Sequence, residues 1–280
     1  MNSIVRCPVC QQSLSEQGKA WHCENNHHYD VAKQGYCNLL LANQKGSATP
    51  GDDANMLQSR HVFLSAGHYQ PVSGAINRLI TKHCSTLRQI LDLGCGEGYY
   101  LSALKQQLNN PDAHYYGTDI SKQALKLAAR HHKSINWFVA AAKNQPFLDH
   151  QLDLILNIFA PADWHEIQRI LKPEGHVLLA VAGSNHLQSL RELIYESVNA
   201  HQPERFIEKF AAAFELIEST DCQFTLQLAD NESIRSLLHM TPYFWQAGEQ
   251  CRQSIEDLQS FSTPVNVRLY LLKLTNSQSD

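Results

Sequence analysis

From about residue 55 onward, apolar residues recur in two alternating rhythms, one strand-like and one helical. That alternation predicts a βαβ domain built on a parallel sheet. "QILDLGC" (89–95) reads as a strand ending at a glycine turn, and "EGYYLSALKQQL" (97–108) as the helix after it. "HYYGTD" (114–119) is the next strand, followed by "SKQALKLAARHH" (121–132), a helix opened by an N-cap serine. "INWFVA" (135–140), "LDLILNIFA" (152–160) and "GHVLLAVA" (175–182) supply three further strands. Between the last two, "DWHEIQRILK" (163–172) predicts a helix that stops at Pro173–Gly175. The tail offers "FAAAFELIES" and "QFTLQL", a helix near 231–239 and a closing strand near "NVRLYLLKL".

Ahead of this zone the rhythm changes. Residues 41–54, "LANQKGSATPGDDA", gather Gly, Ser, Pro and Asp and read as a loop. Residues 1–40 are rich in cysteine and histidine and hold too little apolar sequence for a core of their own. At 280 residues the chain suffices for one sizeable core plus a small appendage. No window approaches the roughly 20 apolar residues that span a bilayer, and the N-terminus lacks a charged start followed by an apolar run. A cytosolic protein without a membrane partner is expected. The net charge of −4 speaks against wholesale nucleic-acid binding, so any RNA contact must rest on a local patch.

Of eight cysteines only three cluster, which in a reducing compartment favours a metal site over a disulfide framework. Cys7 and Cys10 have C-x2-C spacing, Cys23 lies twelve intervening residues on, and His27 follows at x3. Three thiolates and one imidazole make a closed tetrahedral set, so the ion expected is a structural zinc. Binding such an ion is worth roughly 10–16 kcal/mol, enough to fold about forty residues that could not fold alone. His28 is an alternative fourth ligand, His22 lies close, and Cys37 could complete an all-cysteine shell. The other cysteines read as small buried or half-buried side chains.

The core motif is "LDLGCGEGYY", holding Asp92, Gly94, Gly96, Glu97 and Gly98. A strand running into a glycine turn and then a helix lets backbone N–H groups approach a ligand closely. The dinucleotide fingerprint needs glycine at position 99, where this chain has Tyr99. The G-x-G-x-G version, preceded by an acid on the strand, resembles motif I of the S-adenosylmethionine-dependent methyltransferases. Asp119 ends the next strand, where a carboxylate can accept both ribose hydroxyls.

"CPVC", "DVAKQGYCNLL" (30–40), "PGDDANMLQSRHVFLSAGHYQP" (50–71), "NIFAP" (157–161) and "LKPEGHVL" (171–178) stand in order around that motif. Together they resemble the zinc-containing 23S ribosomal RNA guanine-N1 methyltransferases over residues 5 to about 190, with a looser fit in the tail that includes "LLHMTPYFW" (237–245). The resemblance implies an α/β fold: a Rossmann-like class I S-adenosylmethionine-dependent core with a small N-terminal zinc-binding domain. The expected parts are an RNA-recognising zinc domain over 1–40, a linker and helices covering the cofactor site over 41–84, and the methyltransferase domain over 85–280. It further implies that Tyr69 covers the cofactor and that His186, just after the fifth core strand, joins the same pocket. Cys37 departs from the family's expected valine, which sets it apart from the zinc shell.

Methyl transfer from a sulfonium is an in-line displacement in which positioning does most of the work. Guanine N1 carries a proton, so a base or a donor to O6 is required, and the sequence identifies no catalytic base. The "NIFAP" segment should receive the acceptor, with Asn157 a candidate contact to the guanine edge, while Asp163 reads first as a helix cap. N1 lies on the pairing edge, so the target must be unpaired or extruded, and a hairpin of 23S ribosomal RNA is the partner implied. Trp21, Tyr29, Lys33 and Tyr36 are candidates for stacking and phosphate contact, or else pack the small metal core. A homodimer would enlarge the RNA cleft, though no residue demands one. The rival readings are a small-molecule methyltransferase of quinone or metabolite type and a non-enzymatic zinc adaptor.

Overall fold

The computed structural model describes residues 3–44, 53–207 and 213–275. The loop expected at 41–54 lies largely outside the described residues, as does the start of the segment expected at 210–219.

The cysteine-rich head folds as a three-stranded antiparallel sheet, β1 (Ser15–Gln17), β2 (Ala20–His22) and β3 (His28–Asp30). The next strand, β4 (Tyr36–Asn38), leaves the head. Two helices follow, α1 (Ala54–Ser65) and α2 (Gln70–His83). The Asp53 side chain caps α1 by accepting from the Asn55 and Met56 N–H groups. The repeating part then runs β5 (Gln89–Leu93), α3 (Tyr99–Leu108), β6 (His114–Asp119), α4 (Lys122–His131), β7 (Asn136–Val139), β8 (Leu152–Ile158), α5 (Trp164–Ile170), β9 (Leu171–Ala182) and α6 (Gln188–Ile194). It closes through α7 (Glu204–Ile207), β10 (Phe214–Leu228), α8 (Asn231–His239), α9 (Tyr243–Gln246), α10 (Glu249–Glu256) and β11 (Phe261–Leu274).

Eight strands form one sheet in the order β10-β11-β9-β8-β5-β6-β7-β4. From β9 to β4 neighbours run parallel, and β11 and β10 add antiparallel strands at the far edge. The chain moves outward from β5 to β6 and β7, then returns to place β8 on the other side of β5. The order therefore reverses between β5 and β8, and in open α/β sheets ligands bind beyond the carboxyl ends of strands at such a point.

Two predicted boundaries shift. The helix expected over 163–172 ends at Ile170, and Leu171 is already extended at φ −79°, ψ 138°. Lys172 precedes Pro173, and the ring of a proline disfavours a helical residue before it, so the strand begins early. The tail segments read separately as "FAAAFELIES" and "QFTLQL" contribute to one fifteen-residue strand, β10. Through its middle, Thr220-Asp221-Cys222, exposure alternates: Asp221 faces solvent and pairs with Arg268, while Cys222 is buried in the core.

Alternate residues of the central strands serve two cores. Ile90, Leu154 and Leu156 face the helical side with Val72, Ile76 and Leu101. Leu91, Leu93 and Ile155 face the other side, where Val5, Leu14 and Trp21 of the head join Phe138 and Phe147. The head thus packs on one face of the main sheet. Val5 pairs with Phe147, and Arg6 reaches Asn144 Oδ1 at 3.2 Å and Glu166 Oε1 at 3.9 Å. β4 completes the join by pairing parallel with β7, Tyr36 opposite Trp137.

Trp137 is fully buried and lies over two glycines. A Cβ on Gly117 would come within 2.1 Å of its ring, and one on Gly98 within 2.4 Å. Gly117→Ala is therefore expected to destabilise the protein by about 1–3 kcal/mol through overpacking, measured by urea unfolding; wild-type stability would contradict this packing.

Candidate functional site

Two tight turns build the metal cluster. In the first, Gln11 N–H donates to Cys7 O and Gln11 adopts φ 66°; in the second, Asn26 N–H donates to Cys23 O at φ 61°. Each turn aims a pair of ligand atoms inward. Cys10 Sγ lies 3.5 Å from Cys23 Sγ, His27 Nδ1 lies 3.3 Å from Cys23 Sγ and 3.6 Å from Cys7 Sγ. All four ligand atoms sit within 4.8 Å of one another. A tetrahedron with metal–sulfur bonds of about 2.3 Å has edges of roughly 3.7 Å, so the donor set fits zinc. Tyr29 Oη stands 3.3 Å from Cys7 Sγ, placed to support that sulfur.

The alternatives separate cleanly. His28 and His22 meet each other across β2 and β3, ring centroids 4.3 Å apart, with their side chains away from the cluster. Cys37 is buried on β4 with its Sγ 3.7 Å from Tyr29 O, and burial pushes its thiol up to about 12. Trp21 is buried edge-on against Phe138, and Tyr36 is buried as well, so these two pack; Lys33 is exposed.

At the sheet's switch point the glycine turn follows β5. Gly94, Gly96 and Gly98 hold φ of 78°, 55° and 85°, a region that glycine enters without strain. The turn is pinned to β6: Gly94 and Cys95 N–H groups donate to Thr118 O, and Gly96 N–H donates to Asp119 Oδ2 at 2.9 Å. Asp119 Oδ1 also accepts from Ser121 N–H at 2.7 Å. Space in front of Gly96 is bounded by Arg60 of α1, whose Nη1 would lie 3.7 Å from an added Cβ. Arg60 thus brings the side of α1 up to the turn.

Three carboxylates share this spot. Asp92 is only 2% exposed; burial first, then the charges of Asp119 and Glu97, push its carboxyl up to about 8. A turn of concentrated negative potential with closely approachable backbone suits a nucleoside that carries a sulfonium and an ammonium group. Tyr69, at the start of α2, is 3% exposed and its hydroxyl has no hydrogen-bond partner, a buried polar atom open to a ligand. The site residues Tyr69, Asp92, Gly94, Gly96, Glu97, Asp119 and His186 fit S-adenosylmethionine on these grounds.

Tyr69 and His186 meet although 117 positions separate them: their ring centroids are 6.4 Å apart. His186 is 6% exposed and its Nδ1 accepts from Asn266 N–H. Burial, then the neighbouring His201, pushes it down to about 3, which makes the neutral ring a weak proton acceptor.

The segment after β8 folds back on the turn. A Cβ on Gly94 would lie 2.4 Å from Ala160 Cβ. Asn157, a candidate for the guanine edge, is buried, and its Nδ2 donates to Leu93 O at 3.2 Å and Pro161 O at 3.5 Å. The amide nitrogen staples the segment, while the buried Oδ1 has no hydrogen-bond partner. Asp163 caps α5, accepting from Glu166 N–H at 3.1 Å. Sequence reasoning missed Arg60, Trp137 and Phe159; only Phe159 carried a signal, as the single aromatic of "NIFAP".

A family model described as RlmA, N-terminal, a zinc ribbon, matches residues 5–48, and one for a methyltransferase domain matches residues 90–175. A Bacillus subtilis protein, YxjB, provisionally named a 23S rRNA (guanine-N(1)-)-methyltransferase, is 30% identical over 96% of each chain. The 23S rRNA (guanine(748)-N(1))-methyltransferase of Streptomyces fradiae is 31% identical over 86% of this chain and 85% of its own. A small-molecule enzyme, the phthiotriol/phenolphthiotriol dimycocerosates methyltransferase of Mycobacterium tuberculosis, is 30% identical over only 32% of this chain and 36% of its own.

An acid whose pKa is higher folded than unfolded holds its proton more tightly when folded, so stability falls as pH rises between the two values. For Asp92 that window runs from about 4, its ordinary range, to about 8. Asp92→Asn is expected to flatten this slope in urea melts, leaving the variant more stable than wild type at pH 8 while weakening binding of S-adenosylmethionine. An unchanged slope would contradict the raised pKa of the buried Asp92 carboxyl.

Proposed function

The chain belongs to the zinc-ribbon 23S rRNA (guanine-N1)-methyltransferases, and on that premise we propose that it methylates N1 of one guanine in 23S ribosomal RNA, using S-adenosylmethionine. The observation that carries this reading is the contact of Gly94 with Ala160, which sets the donor turn against the acceptor lip. The small-molecule alternative is disfavoured by coverage, since the rRNA methyltransferases align along the chain and the small-molecule enzyme over about a third of it.

In this assignment the zinc is structural, held by Cys7, Cys10, Cys23 and His27, and shapes the surface that meets RNA. Bound S-adenosylmethionine supplies an electrophilic methyl group on a sulfonium. Asp119, oriented by the Gly96 and Ser121 N–H groups, is the carboxylate that would meet the ribose hydroxyls. Glu97 supplies the negative field for the cationic end, and Asp92 adds to it once its proton is lost beside the bound cation; Gly94 and Gly96 allow close backbone approach, and Tyr69 with His186 closes the other side. Guanine N1 is the nucleophile once its proton leaves, and the positions of lip and turn fix the line of attack. We assign the target to an unpaired or extruded guanine of an rRNA hairpin, because N1 is inaccessible in a paired helix. A homodimer would offer two zinc heads to one RNA.

Labelled methyl transfer to 23S rRNA lacking modification, followed by primer extension, tests the proposal. Label should enter the RNA and a new stop should arise at a single guanine, since N1 methylation blocks pairing. Label without a stop would place the methyl group away from the pairing edge, and no label would redirect the search to small acceptors.

A further inference from the structure

Phe159 breaks two local rules at once. It is 44% exposed, and it holds φ 53°, a region that bulky side chains avoid. Both departures occur one residue before Ala160, the contact of the cofactor turn. Its ring lies nearly parallel to that of His186, centroids 5.6 Å apart and planes 28° from each other. One face of the phenyl ring is thus backed by a buried imidazole while the side chain still reaches solvent.

The support is rigid on every side that can be traced. Phe159 N–H donates to Ala180 O at 3.0 Å, which ties the lip to β9. The Asn157 amide closes the turn beneath through Leu93 O and Pro161 O. His186 is held by the Asn266 N–H, and its depressed basicity keeps it an uncharged aromatic backing. A glycine would adopt this φ freely, so an exposed aromatic stands here against local preference.

We infer that the open face of Phe159 is a stacking platform for the extruded purine, holding guanine over the lip while its N1 edge faces the cofactor turn. Enzymes that act on a base removed from its helix receive it against aromatic or apolar side chains, and such stacking tolerates the loss of pairing contacts. The inference rests on the rRNA methylation proposed above and adds the residue that orients the acceptor.

The full zinc-loaded chain is compared with Phe159→Gly and Phe159→Trp, using an unmodified 23S rRNA fragment as acceptor and calorimetry for S-adenosylmethionine. Phe159→Gly should melt at or above the wild-type temperature, because the φ strain is relieved, and should bind S-adenosylmethionine with wild-type affinity. Its transfer efficiency should nevertheless fall about ten- to a hundred-fold, the range that loss of one base–aromatic stack produces. Phe159→Trp keeps a flat face and should stay within about threefold of wild type. Wild-type transfer by the glycine variant, or equal losses in the glycine and tryptophan variants, would overturn the platform. If the wild-type chain itself fails to methylate the RNA, the rRNA reading fails first, and the two failures are told apart by that control.

Discussion

The indole of Trp137 fills the space left by Gly98 and Gly117, and the cofactor turn takes its shape from that contact. Gly98 belongs to the turn and Gly117 to β6, so one side chain presses the glycine loop against the sheet. Its own Nε1 donates to His132 O at 3.0 Å, which fixes the ring's rotation. Trp137 also sits on β7, the strand that β4 joins on its outer edge. The zinc head and the cofactor turn therefore lean on opposite sides of one short strand.

That arrangement gives the head a structural role in the main domain. The metal cluster orders residues too few to build their own core, and those residues then cover the apolar face of the main sheet through Val5, Leu14 and Trp21. The chemistry sits on the carboxyl side, where like charges are concentrated on purpose of binding and not of stability. Asp92, Glu97 and Asp119 oppose one another in the folded protein, and a cationic nucleoside is the natural complement. The lip after β8 supplies the other half of the reaction, a turn held shut by Asn157 with an exposed ring at its tip.

Much of this was legible in the residues. Spacing pointed to Cys7, Cys10, Cys23 and His27, because two tight turns present ligands at short intervals, while the choice of His27 over His28, His22 or Cys37 came from the structure. The strand–glycine–helix sequence around Asp92 marked the turn, and Ser121 marked the start of α4. What escaped was long-range. β4 is three residues long, too short for any periodic signal, and it becomes a strand only because β7 offers an edge. Nothing in the sequence marked Trp137, since its partners Gly98 and Gly117 lie on other elements. That the Asn157 amide nitrogen staples the lip has no mark in the sequence, because its acceptors Leu93 O and Pro161 O are brought to it by the fold. Tyr69 and His186 were named from family resemblance, and their proximity depends on the segment before α2 meeting the one between β9 and α6.

If head and turn form one mechanical unit, removing zinc should be felt where S-adenosylmethionine binds. The direct measurement is calorimetric titration of S-adenosylmethionine into the metal-loaded chain, into the chain stripped with a chelator, and after zinc is returned. The account expects affinity to fall on stripping and to recover with zinc, because loss of the head's fold frees β4 and loosens β7 beneath Trp137. Unchanged affinity in a stripped protein whose head is shown by proteolysis to be unfolded would contradict it.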